Sequence, residues 1–188
     1  MTAEVNQSDL AEVRRLLDNI PTALTGAPRT QALRDTARAA RDITRLKIRD
    51  VSTIKVKYLN RNVFPDLRQA TNGKTALVVK GERIPAVGYQ HRVSKANGVK
   101  FRPLKNGSWT QYLHAFKTTV GSHKGVFERD IDHQNYDGRL PIYEKGGPAM
   151  SAVLNNHPGV YAHVMNSSSK ELLERVQKYS FDFLKGVA

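Results

Sequence analysis

The acidic run Glu128-Arg129-Asp130-Ile131-Asp132-His133 is where metal-assisted hydrolysis could reside in this chain. In an extended backbone alternate side chains leave the same face, so Glu128, Asp130 and Asp132 would project together with His133 beside them. A hard cation needs several convergent oxygen ligands, however, and this run has no companion motif elsewhere. It passes straight into Gln134-Asn135-Tyr136-Asp137-Gly138, a loop signature, so a solvated hairpin tip accounts for it. The remaining histidines, His91, His114, His123, His157 and His163, fall in no zinc-ligand spacing. The chain has no cysteine, which removes thiolate ligands, thiol catalysis and disulfides together and fits folding in a reducing compartment. No Gly-rich loop opens a helix as a phosphate cradle requires, and no Ser-His-Asp set can be singled out. The residues therefore predict a protein that is not an enzyme, with no catalytic residues, no metal and no cofactor.

Cationic groups carry the other chemistry. The net charge of +13 is uneven: residues 26–105 hold 19 Lys and Arg against five Asp and Glu, while residues 106–188 hold nine against eight. Such an excess attracts a polyanion or an acidic protein face. Arg34, Arg38, Arg41 and Arg45 recur at helical spacing and share one face, and Arg49 continues the series. The same face can instead be laced internally by Asp35–Arg38, Asp42–Arg38 and Asp42–Arg45 pairs. With Lys55, Lys57, Arg83, Arg92, Lys100 and Arg102, the four arginines are the expected contacts to DNA or an acidic partner. Phe101, Trp109, Tyr112, Phe116 and Phe127 are interleaved with Lys100, Arg102, Lys105 and Lys117, a pattern that stacks single-stranded bases or forms the buried side of an amphipathic sheet.

These groups must be positioned by an α+β fold. Ser8 and Asp9, with Glu12, can cap a first helix carrying Leu10, Val13, Leu16, Leu17 and Ile20, which Pro21 ends. After the linker TALTGAP, Pro28 suits the first turn of a second helix running to about Lys47, with Leu33, Ala37, Ala40 and Thr44 opposite the arginines. From Ser52 the pattern alternates, and Ile54, Val56 and Tyr58 read as a half-buried strand. Asn72-Gly73, Asn97-Gly98, Asn106-Gly107 and Asp137-Gly138 accept the positive φ of tight turns. They punctuate strand-like runs at 75–80, 88–93, 99–104, 109–120, 124–129 and 139–143, which predict an antiparallel sheet of five to seven strands. Arg83-Ile84-Pro85 belongs at an edge or bulge, because proline donates nothing to a ladder. Gly146-Gly147-Pro148 reads as a turn, and Ser167–Ser169 as the cap of a C-terminal helix bearing Leu172, Leu173, Val176, Tyr179 and Phe183. The expected layout is N-terminal helices over 1–50, an antiparallel β domain over 51–148, and a C-terminal arm and helix over 149–188, in one compact domain. No apolar run approaches a membrane span, and the first residues lack the pattern of a signal peptide.

The stretch Phe116–Pro148 resembles the minor tail protein Z family of tailed bacteriophages and prophages. That family runs a strand into a G-H-x-G-V-F-x-R turn and closes with R-L-P-I-x-E-x-x-G-P. Gly125, Val126, Phe127 and Arg129 fit the first part; Arg139, Leu140, Pro141, Ile142, Glu144, Gly147 and Pro148 fit the second. The resemblance implies structural residues and a tail completion protein of a phage or of a prophage-derived tail particle. It implies a virion component at the tail–neck region, assembled in the host cytoplasm as a homo-oligomeric ring of six copies. Its partners would be the tail terminator or tail tube, with genomic DNA positioned or passed in the lumen and no membrane involved. The alternatives are a non-specific DNA-binding module, motivated by the clustered charge, and a head completion or connector adaptor.

Overall fold

From Pro28 to Val51 no glycine or further proline interrupts an Ala- and Arg-rich run, and in the computed structural model helix α1 spans Ala27–Val51. The structure describes residues 15, 18–21, 24–130, 132, 134 and 141–187. The first predicted helix (Ser8 to Ile20) therefore lies mostly outside the described residues, although 18–21 are helical. Small residues line the buried side of α1: Ala32, Thr36, Ala37, Ala40 and Thr44, joined by Ile48. Within the expected linker, the described residues 24 and 25 are helical and Gly26 bends.

The fold is α+β, as the composition of the segments requires. Helix α2 spans Val56–Asn62, α3 Met150–Asn155 and α4 Pro158–Val187. The strands among the described residues are β1 (Val63–Asp66), β2 (Ala76–Val79), β3 (Arg83–Pro85), β4 (Gln90–Ser94) and β5 (Gly98–Arg102). They continue with β6 (Thr110–Tyr112), β7 (Ala115–Val120), β8 (His123–Arg129), β9 (Ile142–Glu144) and β10 (Gly146–Ala149). They form small sheets: β1–β2, β3–β10, β4–β5–β6 and β7–β8–β9.

The chain divides into two units, and neither follows the linear boundaries at 50 and 148. One comprises the described residues up to Ile43, Phe64–Val78 and Ala162 onward; the other comprises Thr44–Val63 and Val79–Tyr161. In the first unit α1 and α4 are tied by Tyr179, whose hydroxyl donates to Asp35 Oδ2 at 2.8 Å. The first unit thus joins residues from both ends of the chain, which is why a division by position along the sequence misses it.

The second unit is built around Tyr89 and Phe101, whose ring centroids lie 5.8 Å apart, with Phe101 stacked on Tyr112 at 5.6 Å. Ile48, Leu59, Ile84, Val99, Val126 and Met150 complete this core, each at most 1% exposed. The buried Tyr89 hydroxyl donates to the Pro148 carbonyl. Gly147 passes so close beneath these rings that a Cβ there would sit 2.6 Å from Tyr89 and 2.9 Å from Phe101, distances no side chain tolerates. This explains a correction: Gly146-Gly147-Pro148 is not a turn but strand β10, its glycines selected by close packing.

Three further expectations change. Ile54, Val56 and Tyr58 do not form a strand. Residues 52–55 are extended, with Thr53 N–H donating to the Pro103 carbonyl and Lys55 N–H to the Gly88 carbonyl, and helix α2 then starts at Val56. Of that alternating set Ile54 is buried while Val56 is 49% exposed, and Leu59 and Asn62, at helical spacing, are the buried positions of α2. A short apolar run fits either period, and tertiary hydrogen bonding decides. The run 109–120 splits into β6 and β7 at Leu113-His114. Ser167–Ser169 does not cap a helix but lies inside α4, where Ser169 Oγ donates back to the Met165 carbonyl at 3.0 Å.

Several signals hold as read. Asn97-Gly98 closes the β4–β5 hairpin with Gly98 at φ +67°. Residues 121–122 close β7–β8, in which Val120 pairs with His123. Arg83–Pro85 pairs only with β10, and the register shifts between Gly146 and Ala149, the bulge that proline demands. Asp137-Gly138 lies outside the described residues.

Candidate anion-binding cleft

Within the second unit, an open cleft of about 650 Å³ is lined by six cations: Lys55, Lys57, Arg61, Arg83, Lys117 and Lys124. Four different elements deliver them. Lys55 ends the extended segment before α2, and Lys57 and Arg61 stand one turn apart on α2. Arg83 opens β3, while the β7–β8 pairing of Thr119 with Lys124 and Lys117 with Val126 turns both lysines to one face of the hairpin. The one carboxylate lining the cleft, Glu82, lies 3.7 Å from Lys80.

The polar groups at its base are ordered by single bonds to protein. Lys55 Nζ donates to the Val87 carbonyl at 2.6 Å. His91 Nδ1 lies 3.0 Å from the Tyr89 carbonyl, and His91 Nε2 lies 3.0 Å from Lys117 Nζ. A carbonyl only accepts and an ammonium only donates, so the pair specifies a neutral imidazole protonated on Nδ1. Burial, with Lys55 and Lys117 close by, holds the His91 pKa below its ordinary value against the opposing pull of the Tyr89 carbonyl. Burial likewise lowers Lys55, reinforced by Lys117 and Lys124. His123 also borders the cleft, its Nε2 2.6 Å from Glu144 Oε1. Positive charge is thus crowded here with little compensation, and the donors suit a ligand rich in acceptor oxygens.

The sequence-derived contacts divide. Lys55, Lys57 and Arg83 come together in the cleft. Arg34, Arg38 and Arg41 lie on α1 in the other unit, where Arg38 binds Asp35 at 2.8 Å and Arg41 grips both oxygens of Asp42 at 2.8 Å. Arg45 serves the fold: its Nη2 donates to the carbonyls of Asn60 and Val63 at 3.1 and 2.6 Å. Arg92 and Lys100 are cross-strand partners on the β4–β5 face opposite to that of His91. Arg92 and Arg102 lie 4.9 and 5.3 Å from the Trp109 ring, and Arg102 also donates to Gln90 at 2.9 Å. The aromatics therefore pack: Phe101 and Phe127 are buried, and Phe116 lies under Arg129 at 4.8 Å.

Arg61, Lys117, Lys124, His91 and His123 were not among the expected contacts. A charge count hides the two lysines, because the segment after residue 105 is nearly neutral overall. Three of its acidic residues are elsewhere: Glu128, Asp130 and Asp132 line a separate cavity of about 420 Å³, where Lys145 pairs with Glu128, while Glu144 meets His123 at the cleft. Among the described residues no group of three His, Asp or Glu is placed to hold a metal; His133 lies outside them.

Most of the described residues that carry the resemblance lie in the small sheets. Gly125, Val126, Phe127 and Arg129 lie in β8, the middle strand of its sheet. Ile142 and Glu144 lie in β9, where Arg129 pairs with Ile142 and Phe127 with Glu144. The Pro141 carbonyl accepts from Asp130 N–H at 3.1 Å, Gly147 and Pro148 lie in β10, and Arg139 and Leu140 lie outside the described residues. No helix among the described residues is long and apolar enough to cross a membrane. Compared with known proteins, the chain matches no family model, no curated protein and no solved structure.

Proposed function

We propose that this chain is a structural tail completion protein of a tailed bacteriophage or prophage-derived particle, working as a closed oligomer that meets DNA without reading its sequence. The observation that carries this reading is the direct pairing of the motif's two halves, β8 with β9, as the frame of a small sheet. The edges of the sheets support assembly. Val93 on β4 and Tyr143 on β9, edge strands among the described residues, are 52% and 50% exposed, large side chains that a neighbouring copy can cover. Closing a ring removes such edges, and a homo-oligomer built on one repeated contact closes when its rotation permits. The tail terminator or tube is the proposed partner, and the neck the proposed position.

Light scattering of the purified chain tests the oligomer. The expected result is one species at a fixed multiple of the chain mass, six on this reading, reduced to monomer by Val93→Asp with Tyr143→Asp while far-UV circular dichroism is unchanged. A monomer at every concentration, indifferent to those substitutions, contradicts it. The cationic cleft favours a second reading, a self-sufficient DNA-binding module, which tight duplex binding by an isolated monomer would establish in its place.

A further inference from the structure

We infer that the cleft formed by Lys55, Lys57, Arg61, Arg83, Lys117 and Lys124 is a phosphodiester-binding site that grips nucleic acid through its backbone, an assignment that rests on the proposed contact with DNA and moves it off the α1 arginine stripe. The balance of charge favours the cleft over the α1 stripe. The α1 arginines Arg38 and Arg41 are met by Asp35 and Asp42, whereas the six cleft cations face a single lining carboxylate, itself beside Lys80. None of the six shows an ion pair with a carboxylate among the described residues, so a ligand there gains attraction without displacing one from them.

Geometry favours the cleft as well. An ammonium has three donors. Lys55 shows one bond, to the Val87 carbonyl, and Lys117 one, to His91 Nε2, so each is oriented by protein and keeps donors for a ligand. Phosphate oxygens, which accept several such bonds at once, are the matching chemistry. The lining also explains why bases would go unread. Asn62, the lining amide suited to a base edge, donates its Nδ2 to the Tyr58 carbonyl at 2.8 Å. Lysine is a point charge without the planar fork of a base-reading arginine, so contacts dominated by lysine hold position and leave sequence aside. Such a grip weakens as salt rises and lets a duplex slide, which suits DNA passing through a ring.

The test is fluorescence anisotropy of a mixed-sequence duplex against salt, using the full chain. Lys117→Gln with Lys124→Gln should weaken binding roughly tenfold at low salt and lower the slope of log K against log salt by about 2, since each lost phosphate contact removes about 0.9. Both lysines are exposed, and thermal melting checks that the variant stays folded. Lys117→Arg with Lys124→Arg, which keeps the charge, should restore the slope. Arg38→Gln with Arg41→Gln should leave binding within about twofold, because those side chains already have partners. Unchanged binding by the double Gln variant, or loss only on changing Arg38 and Arg41, overturns the cleft assignment while leaving DNA contact standing. Polyglutamate competing as well as duplex, charge for charge, overturns nucleic acid as the ligand. A wild-type chain that binds no duplex at low salt removes the DNA contact of the proposed function along with this site.

Discussion

His91 shows how one residue records the electrostatics of its surroundings. Its Nδ1–H donates to the Tyr89 carbonyl and its Nε2 accepts from Lys117, so the folded chain holds it neutral. Burial lowers its pKa first, Lys55 and Lys117 lower it further, and the Tyr89 carbonyl opposes them. An unfolded histidine titrates near about 6.5, so the unfolded chain takes up this proton at a higher pH than the folded chain does. Stability contributed by neutral His91 is therefore present above about pH 6.5 and lost as pH falls through that value towards the folded pKa. Chemical denaturation from pH 7.5 down to 5 should show the unfolding free energy declining, with a shallower decline in His91→Gln, whose amide offers a donor and an acceptor that do not titrate. Equal slopes in the two proteins would contradict this account. Asp35 acts in a different window. Burial alone would raise its pKa, but hydrogen bonds from Tyr179, Gln31 and Arg38 hold it below the usual carboxylate range, so its contribution is lost only in more acidic solution.

At the scale of the element, the β4–β5–β6 sheet presents a cationic face whose charges are organised by the chain's one tryptophan. Trp109 just precedes β6, with Arg92 of β4 and Arg102 of β5 near its ring. Exposed cation–π contacts contribute about 0.5–1 kcal/mol each, so Trp109→Ala should lower the unfolding free energy by about 1–2 kcal/mol in urea denaturation followed by circular dichroism. A change below about 0.3 kcal/mol would mean that the ring is a bystander to the two arginines. The elements also show what a sequence discloses. Helix α1 was legible from Pro28 and an uninterrupted run of helix formers, and the β4–β5 hairpin from Asn97-Gly98, because local backbone preference decides both. Helix α2 was not legible. Its alternating apolar residues imitate a strand, and the hydrogen bonds that settle the matter run from Thr53 and Lys55 N–H to the Pro103 and Gly88 carbonyls. Strand β10 was hidden for the opposite reason: two glycines and a proline signal a turn locally, while the close approach of Gly147 to Tyr89 and Phe101 makes them necessary in a packed strand. The cleft was legible only in part. Lys55, Lys57 and Arg83 stood within a basic segment, but Lys117 and Lys124 arrive from a nearly neutral one through β7–β8 pairing, which no count along the chain detects.

At the scale of the whole molecule, a chain carrying +13 gathers six cations around one lining carboxylate in a cleft and, among the described residues, ties several others into internal bonds. Asp35, Asp42 and the carbonyls of Asn60 and Val63 absorb arginines of the α1 stripe, for which the sequence offered both an anion-binding face and internal pairing with Asp35 and Asp42. Each unit carries exposed apolar side chains, among them Val93, Leu113 and Tyr143 in one and Leu173 and Phe181 in the other, surfaces that gain from being covered in an assembly. A small basic protein with open sheet edges and a phosphate-suited cleft makes physical sense as a repeated part placed around a polyanion. In the proposed ring, six copies would surround a central path with on the order of 80 net positive charges, a field that would hold DNA without fixing its register. Cryo-electron microscopy of purified tailed particles containing this chain measures that arrangement most directly. The account expects a closed ring of copies at the neck end of the tail, with Lys117 and Lys124 turned to the central channel. Particles that carry the polypeptide as a single copy, or as copies remote from the DNA path, would contradict it.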